Sequence, residues 1–170
     1  IRIAFDGAFL WVGDDTERTL KKIDPATGAL VLETADLGGR AGNGILFDGS
    51  AIWVGTAGTD GIKKIRPSDG AVLCSFTTAP GPNVLAYDGT HIWVGNTALG
   101  SSDSVTRVRA SDCAIVGTTT VGDGPHYGAL DSTGSIWVAN SDSRDVQQLS
   151  SSGTVVRTIA LPNLPLGTAW

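Results

Sequence analysis

His126 is the side chain in this sequence best placed to do chemistry, because it opens a strand-like run in GPHYG (124–128) and imidazole exchanges protons near neutral pH. It reads either as a ligand or acid–base group, with Asp15 and Asp123 as the carboxylates to test beside it, or as a loop histidine that caps a backbone group. His91 occupies a repeat position filled elsewhere by Phe9, Ala51 and Ser135, a variability that suits a hairpin flank. Carboxylates gather in the loops, where Asp14, Asp15, Glu17, Asp60, Asp103, Asp123, Asp142 and Asp145 outnumber Arg18, Arg40 and Arg144. An oxygen-rich rim of that kind suits Ca²⁺ or Mg²⁺. No loop has EF-hand spacing, so solubility is the simpler account and no cofactor is expected.

Cys74 and Cys113 are the only cysteines. Paired, they would close a loop of about 40 residues, contribute roughly 4 kcal/mol and imply an oxidising compartment. Against that stands an offset of four residues, about 13 Å along a strand, and two inert thiols are the alternative. No nucleophile elbow, phosphate-cradling glycine loop, zinc spacing or N-glycosylation sequon occurs.

The elements that must position these residues repeat four times. Trp11, Trp53, Trp93 and Trp137 mark copies spaced by 42, 40 and 44 residues, each made of four short strand-like runs. Asp6-Gly7, Asp48-Gly49 and Asp88-Gly89 lie between the first two runs and suit a tight hairpin. ATG (26–28), SDG (68–70), SDC (111–113) and SSSG (150–153) separate the third and fourth. Runs such as LWV and IWV are apolar on both pleat faces, so both faces need cover. Small sheets stacked around an axis provide it, and the expectation is an all-β propeller. Its four blades fall at about 1–41, 42–81, 82–124 and 125–164, in one segment. The tryptophans are read as packing between blades. Lys21, Lys22, Lys63, Lys64, Arg66, Arg107 and Arg109 are placed on outer strands, where charge blunts edge-to-edge pairing.

LGTAW (166–170) reads as the first strand of a fifth copy, extending over 165–170, and the sequence holds no methionine. The chain is therefore expected to be part of a larger ring, or a ring completed between molecules. With 41% apolar and 17% charged residues it has the balance of a globular protein rather than a disordered one. A net charge of −5 argues against nucleic acid as a partner, and no apolar run is long enough for a membrane span.

The unit FDGxxIWVGN, continued by KIxPxxGAV, resembles bacterial propeller repeats of the YVTN and NHL kind and is most similar to virginiamycin B lyase-like (streptogramin lyase-like) propellers. That resemblance covers essentially the whole chain and implies a bacterial, extracytoplasmic protein. In lyases of this kind the resemblance implies histidines at repeat openings, a glutamate four residues after the strand tryptophan, and Mg²⁺. Here only His126 keeps the histidine, and Asp15, Ala57, Thr97 and Ser141 stand at the glutamate position. The expectation is accordingly a non-catalytic scaffold or interaction module that presents loops to a protein or glycan partner, or to further copies of itself. A lyase-like or lactonase-like enzyme with a metal at the channel mouth is the alternative.

Overall fold

The computed structural model describes residues 3–97 and 103–163. The expected fifth strand, 165–170, and part of the loop at 95–104 lie outside them. The chain divides into two compact units, 1–78 and 79–170. The described residues form strands and turns and contain no helix.

In unit 1 the first sheet runs β1 (Ile3–Phe5), β2 (Leu10–Asp14), β3 (Thr19–Ile23) and β4 (Leu30–Glu33), and the second runs β5 (Arg40–Phe47), β6 (Ile52–Ala57), β7 (Gly61–Ile65) and β8 (Val72–Thr77). Each is an antiparallel meander in sequence order. Unit 2 repeats the plan with β9 (Pro82–Tyr87), β10 (His91–Asn96), β11 (Ser104–Arg109) and β12 (Ile115–Thr120), then β13 (Pro125–Leu130), β14 (Ile136–Asn140), β15 (Asp145–Leu149) and β16 (Val155–Ala160). We call these sheets blades 1 to 4.

The first hairpin of blades 1 to 3 has two central residues, with the aspartate just outside them. The Asp6 N–H donates to the Phe9 carbonyl at 3.1 Å, and Gly7 takes the first central position at φ 98°. Asp48 and Asp88 repeat the bond at 3.1 Å, with Gly49 and Gly89 at φ 92°. Blade 4 inserts one residue, so that Asp131 pairs with Ser135 instead and Gly134 carries the positive φ. The outer turns place Gly28, Gly70 and Gly153 in the left-handed region, and at the same position in blade 3 stands Cys113 at φ 62°. A non-glycine residue there costs about 1–2 kcal/mol.

Packing follows the alternation of the strands. In unit 1 the buried Ala4, Trp11 and Leu20 of blade 1 form one cluster with Ile45, Ile52 and Val54 of blade 2. In unit 2, Ala86, Trp93 and Val105 of blade 3 cluster with Ile136, Val138 and Leu149 of blade 4. A tryptophan-bearing face of one blade thus covers an aliphatic face of the next, and each fully buried aliphatic side chain contributes about 1.5–3 kcal/mol.

Two expectations need correction. Lys21, Lys22, Lys63, Lys64, Arg107 and Arg109 lie on β3, β7 and β11, the third strands, and Arg66 follows β7. They cannot guard a sheet edge, because β4, β8 and β12 cover them. The exposed residues that open the outermost strands are apolar, among them Leu30, Val31, Val72, Leu73, Ile115 and Val156. Arg40, expected in a loop, instead opens a strand. In this lead-in at 38–44 the register slips between Ala41 and Ile45 to accommodate Gly42 and Gly44.

Candidate functional site

The aspartate that follows the first strand of each blade does more than turn the chain. In blade 1, Asp6 Oδ1 accepts the N–H groups of Ala8 (3.0 Å) and Phe9 (2.7 Å), while Oδ2 accepts the indole Nε1–H of Trp11 at 2.8 Å. The same indole bond recurs from Trp53 to Asp48 (2.7 Å), Trp93 to Asp88 (2.8 Å) and Trp137 to Asp131 (2.9 Å). A buried indole N–H needs an acceptor, and the hairpin supplies one from its own first residue.

A third group completes this clamp from the strand facing the tryptophan, except in blade 3. Trp11 is in register with Lys22 and Trp53 with Lys64. Lys22 Nζ lies 3.9 Å from Asp6 Oδ2 and Lys64 Nζ 3.8 Å from Asp48 Oδ2, with the two ammonium groups 5.4 and 5.2 Å from the ring centroids of Trp11 and Trp53. In blade 3 the facing Arg107 sits 5.6 Å from the Trp93 centroid, and His91 Nδ1 approaches Asp88 Oδ2 at 3.4 Å instead. In blade 4 the neutral Gln148 donates to Asp131 Oδ2 at 3.0 Å.

These contacts keep the carboxylates ionised. Burial works to raise the Asp48 carboxyl, but hydrogen bonds from the Trp53 indole, the Ser50 hydroxyl and two backbone N–H groups outweigh it, and its pKa lies below the ordinary aspartate value. Asp6 and Asp88 shift the same way against the same burial. Asp131 is lowered to about 2, led by the hydroxyl hydrogen bond from Thr133.

The loop chemistry falls into the two units separately. In unit 1 Asp15 is exposed, and a side chain at Gly42 would approach its Oδ1 to 3.1 Å. Asp14 is held by Lys21 Nζ at 2.7 Å, and Arg18 pairs with Asp36. A side chain at Gly13 would lie 2.2 Å from the Ala41 carbonyl, so the 13–18 loop and the lead-in at 38–44 press together. In unit 2 His126 is the second residue of the half-buried β13. Its N–H donates to the Gly124 carbonyl (2.9 Å), its own carbonyl accepts Asn83 Nδ2 (2.6 Å), and its ring is tilted against Tyr127. The backbone carbonyl of exposed Asp123 accepts the N–H groups of Asp142 (2.9 Å) and Ser143 (3.2 Å). Asp103 is buried and accepts the Gly124 N–H at 2.5 Å.

His126 in β13 and Asp123 just before it therefore adjoin in unit 2, whereas Asp15 belongs to unit 1. Among the described residues no three His, Cys, Asp or Glu side chains converge as a metal-binding group. Acceptor oxygens of the buried Asn83, Asn96 and Asn140 have no hydrogen-bond partner among the described residues. Sequence reasoning missed these asparagines, and it placed Asp103 on a solvent-facing rim, whereas it is buried. Their recurrence three residues after the tryptophan, at Asn96 and Asn140, was the available signal. Each unit presents hydrogen-bonding loops tied down by their own backbone, and among the described residues no base and acid are set against one reacting atom.

Neither cysteine is a free thiol, and both Cys74 and Cys113 are disulfide-bonded. The strand offset that argued against pairing measures distance along one blade, which is not how outer turns pack. In unit 1 a side chain at Gly70, the repeat equivalent of Cys113, would come within 2.9 Å of Leu32 Cδ2, and Leu32 is the equivalent of Cys74.

No family model and no curated protein matches the chain. Solved structures do. A chain of hydrazine synthase from Kuenenia stuttgartiensis is 16% identical with a TM-score of 0.78, over 92% of this chain and 47% of that one. BamB from Moraxella catarrhalis is 17% identical with a TM-score of 0.72, over 92% and 51%. A chain of the mitotic checkpoint complex is 14% identical with a TM-score of 0.81, over 98% and 55%. The chain thus spans about half the length of these structures. At such identities the likeness establishes the fold, a β-propeller of four-stranded blades.

Proposed function

We propose that this chain is a non-catalytic, extracytoplasmic propeller scaffold that presents its loop face to a protein or glycan partner and associates with further copies through open blade faces. The observation that carries the reading is the use made of the repeated reactive groups. The aspartates that recur in every blade are bound to backbone, indole and a neighbouring side chain, and the loops are locked by main-chain bonds. Such a surface holds its shape and has hydrogen-bonding groups to offer. The match to a chain of the mitotic checkpoint complex, a propeller within a protein assembly, supports an interaction role. The oxidised cysteines support an extracytoplasmic address.

The enzyme reading rests on His126, Asp15 and Asp123, and the hydrazine synthase match gives the fold an enzymatic precedent. One experiment separates the two. The wild type and the His126→Ala, Asp15→Ala, Asp123→Ala triple variant are assayed on cyclic depsipeptides and lactones with Mg²⁺ or Ca²⁺, and both are applied to a glycan array. Turnover at the buffer rate by both chains is expected. Turnover by the wild type that the triple variant loses would replace the scaffold with an enzyme.

A further inference from the structure

Blade 1 carries an apolar sheet face that no described residue covers. Ile3 is 60% and Phe5 54% exposed on β1, and Leu10, Val12 and Ile23 are partly exposed beside them. Contiguous exposed apolar surface of this kind marks an interaction site in a soluble protein. A depression of about 360 Å³, lined in part by Val12, Lys21 and Ile23, opens among these strands.

The repeat itself identifies what fits there. The equivalents in blade 2 are Ile45, Phe47, Ile52, Val54 and Ile65, and all five belong to or pack against the cluster containing Ala4, Trp11 and Leu20 of blade 1. In unit 2, Leu130, Ile136, Val138 and Leu149 of blade 4 meet Ala86, Trp93 and Val105 of blade 3 in the same way. Within each unit this aliphatic face therefore receives one kind of occupant, the tryptophan face of the preceding blade. A polar contact accompanies each. Lys22 Nζ donates to the Pro67 carbonyl in the outer turn of blade 2 (2.9 Å), and Arg107 donates to the Ser151 carbonyl in the outer turn of blade 4.

The complementary half also exists in this chain. Trp11, Trp53 and Trp93 are buried, but Trp137 of blade 4 is only partly so, as are Ala129 and Val146 on its side of the sheet. The chain supplies about half the length of the propellers it matches. We infer that the exposed Ile3/Phe5 face of blade 1 docks the Trp137 face of blade 4 from a second copy of this chain, reproducing between molecules the packing seen within each unit. The contact is heterologous, one patch meeting a different patch. The repeat places Gln148, the equivalent of Lys22 and Arg107, opposite the Pro25 carbonyl of the second copy. This names the partner and the surface for the self-association part of the proposed function, on which it rests.

The test is solution mass by light scattering across a concentration series for the wild type, an Ile3→Glu/Phe5→Lys variant and an Ala129→Arg variant. Circular dichroism and thermal melting serve as controls on folding. The substituted residues are exposed or partly so, and each variant alters only one of the two faces. The wild type is expected at twice the chain mass or above, and either variant is expected to raise the concentration of half-assembly by about 100-fold or more. An equimolar mixture of the two variants is expected to regain dimer, because each keeps one intact face. A monomeric wild type at every soluble concentration, or assembly that survives both variants, would overturn the inference. Neither result touches the turnover and glycan assays, so the scaffold reading stands or falls separately.

Discussion

The clamps of unit 1 and unit 2 share a carboxylate, an indole and two hairpin N–H donors, and differ in the side chain set against them. In unit 1 the third member is a lysine twice over, Lys22 and Lys64, close to both the carboxylate and the ring. In unit 2 blade 3 divides the work between His91 and Arg107, and blade 4 uses the neutral Gln148. The invariant part satisfies a buried donor, which hydrophobic packing cannot do. The variable part adjusts charge at a largely buried site, where attraction across 3.8–3.9 Å is offset by the desolvation of both ions. Position in the hydrogen-bond network decides which residues are fixed, and net charge does not.

That contrast can be broken hardest at the ring. Trp93→Ala is expected to destabilise the fold by about 3–5 kcal/mol in denaturant unfolding, and Trp137→Ala by less, because its ring is already partly exposed. Reduction of the disulfide is expected to remove roughly 4 kcal/mol, read as a lower midpoint with dithiothreitol than without. Cys113→Gly should lose less than that, since glycine relieves a turn that Gly28, Gly70 and Gly153 already make in the other blades.

Next comes the carboxylate. Asp48→Ala leaves the Trp53 N–H buried without its acceptor, at a cost of about 1–3 kcal/mol. The same groups give a pH dependence with a definite sign. Aspartates whose folded pKa is lowered contribute stability that is complete above the unfolded value near 3.8 and is lost as pH falls through the folded value. For Asp131 that window runs from near 3.8 down to about 2. Unfolding midpoints should therefore decline steadily below pH 4, and an unchanged midpoint between pH 5 and pH 3 would remove the clamps from the stability account. Smallest of all, Lys64→Met is expected to change stability by about 1 kcal/mol, in contrast to Asp48→Ala in the same clamp, because Asp48 keeps its bonds from Ser50, Ala51 and Trp53.

The repeats, their four strands and the hairpin positions were legible because each rests on local pattern: alternation, Asp-Gly and tryptophan spacing. The second role of the aspartates was not. Asp6 and Trp11 lie on two sides of a hairpin, five residues apart, and a turn former there already had a sufficient explanation. The basic residues fall on the third run as read, but their edge-guarding role fails, because a fourth strand pairs outside each of them. Distance reasoning on the cysteines failed because it followed one strand, whereas the outer turn of a blade leans on its neighbour, as Gly70 does on Leu32. At the loop face His126 and Asp123 were found by type and position. Asn83 was missed, and Asp103 was taken for a rim carboxylate, because only the fold brings them to His126 and Gly124.

A double-mutant cycle on Asp48→Asn and Trp53→Phe, read by denaturant unfolding, tests most directly the claim that the repeated aspartate and tryptophan act as one structural unit. A coupling of about 1–2 kcal/mol is expected, because each substitution removes the same hydrogen bond. Losses that simply add, within about 0.5 kcal/mol, would mean that the two residues stabilise the blade independently and would contradict the account.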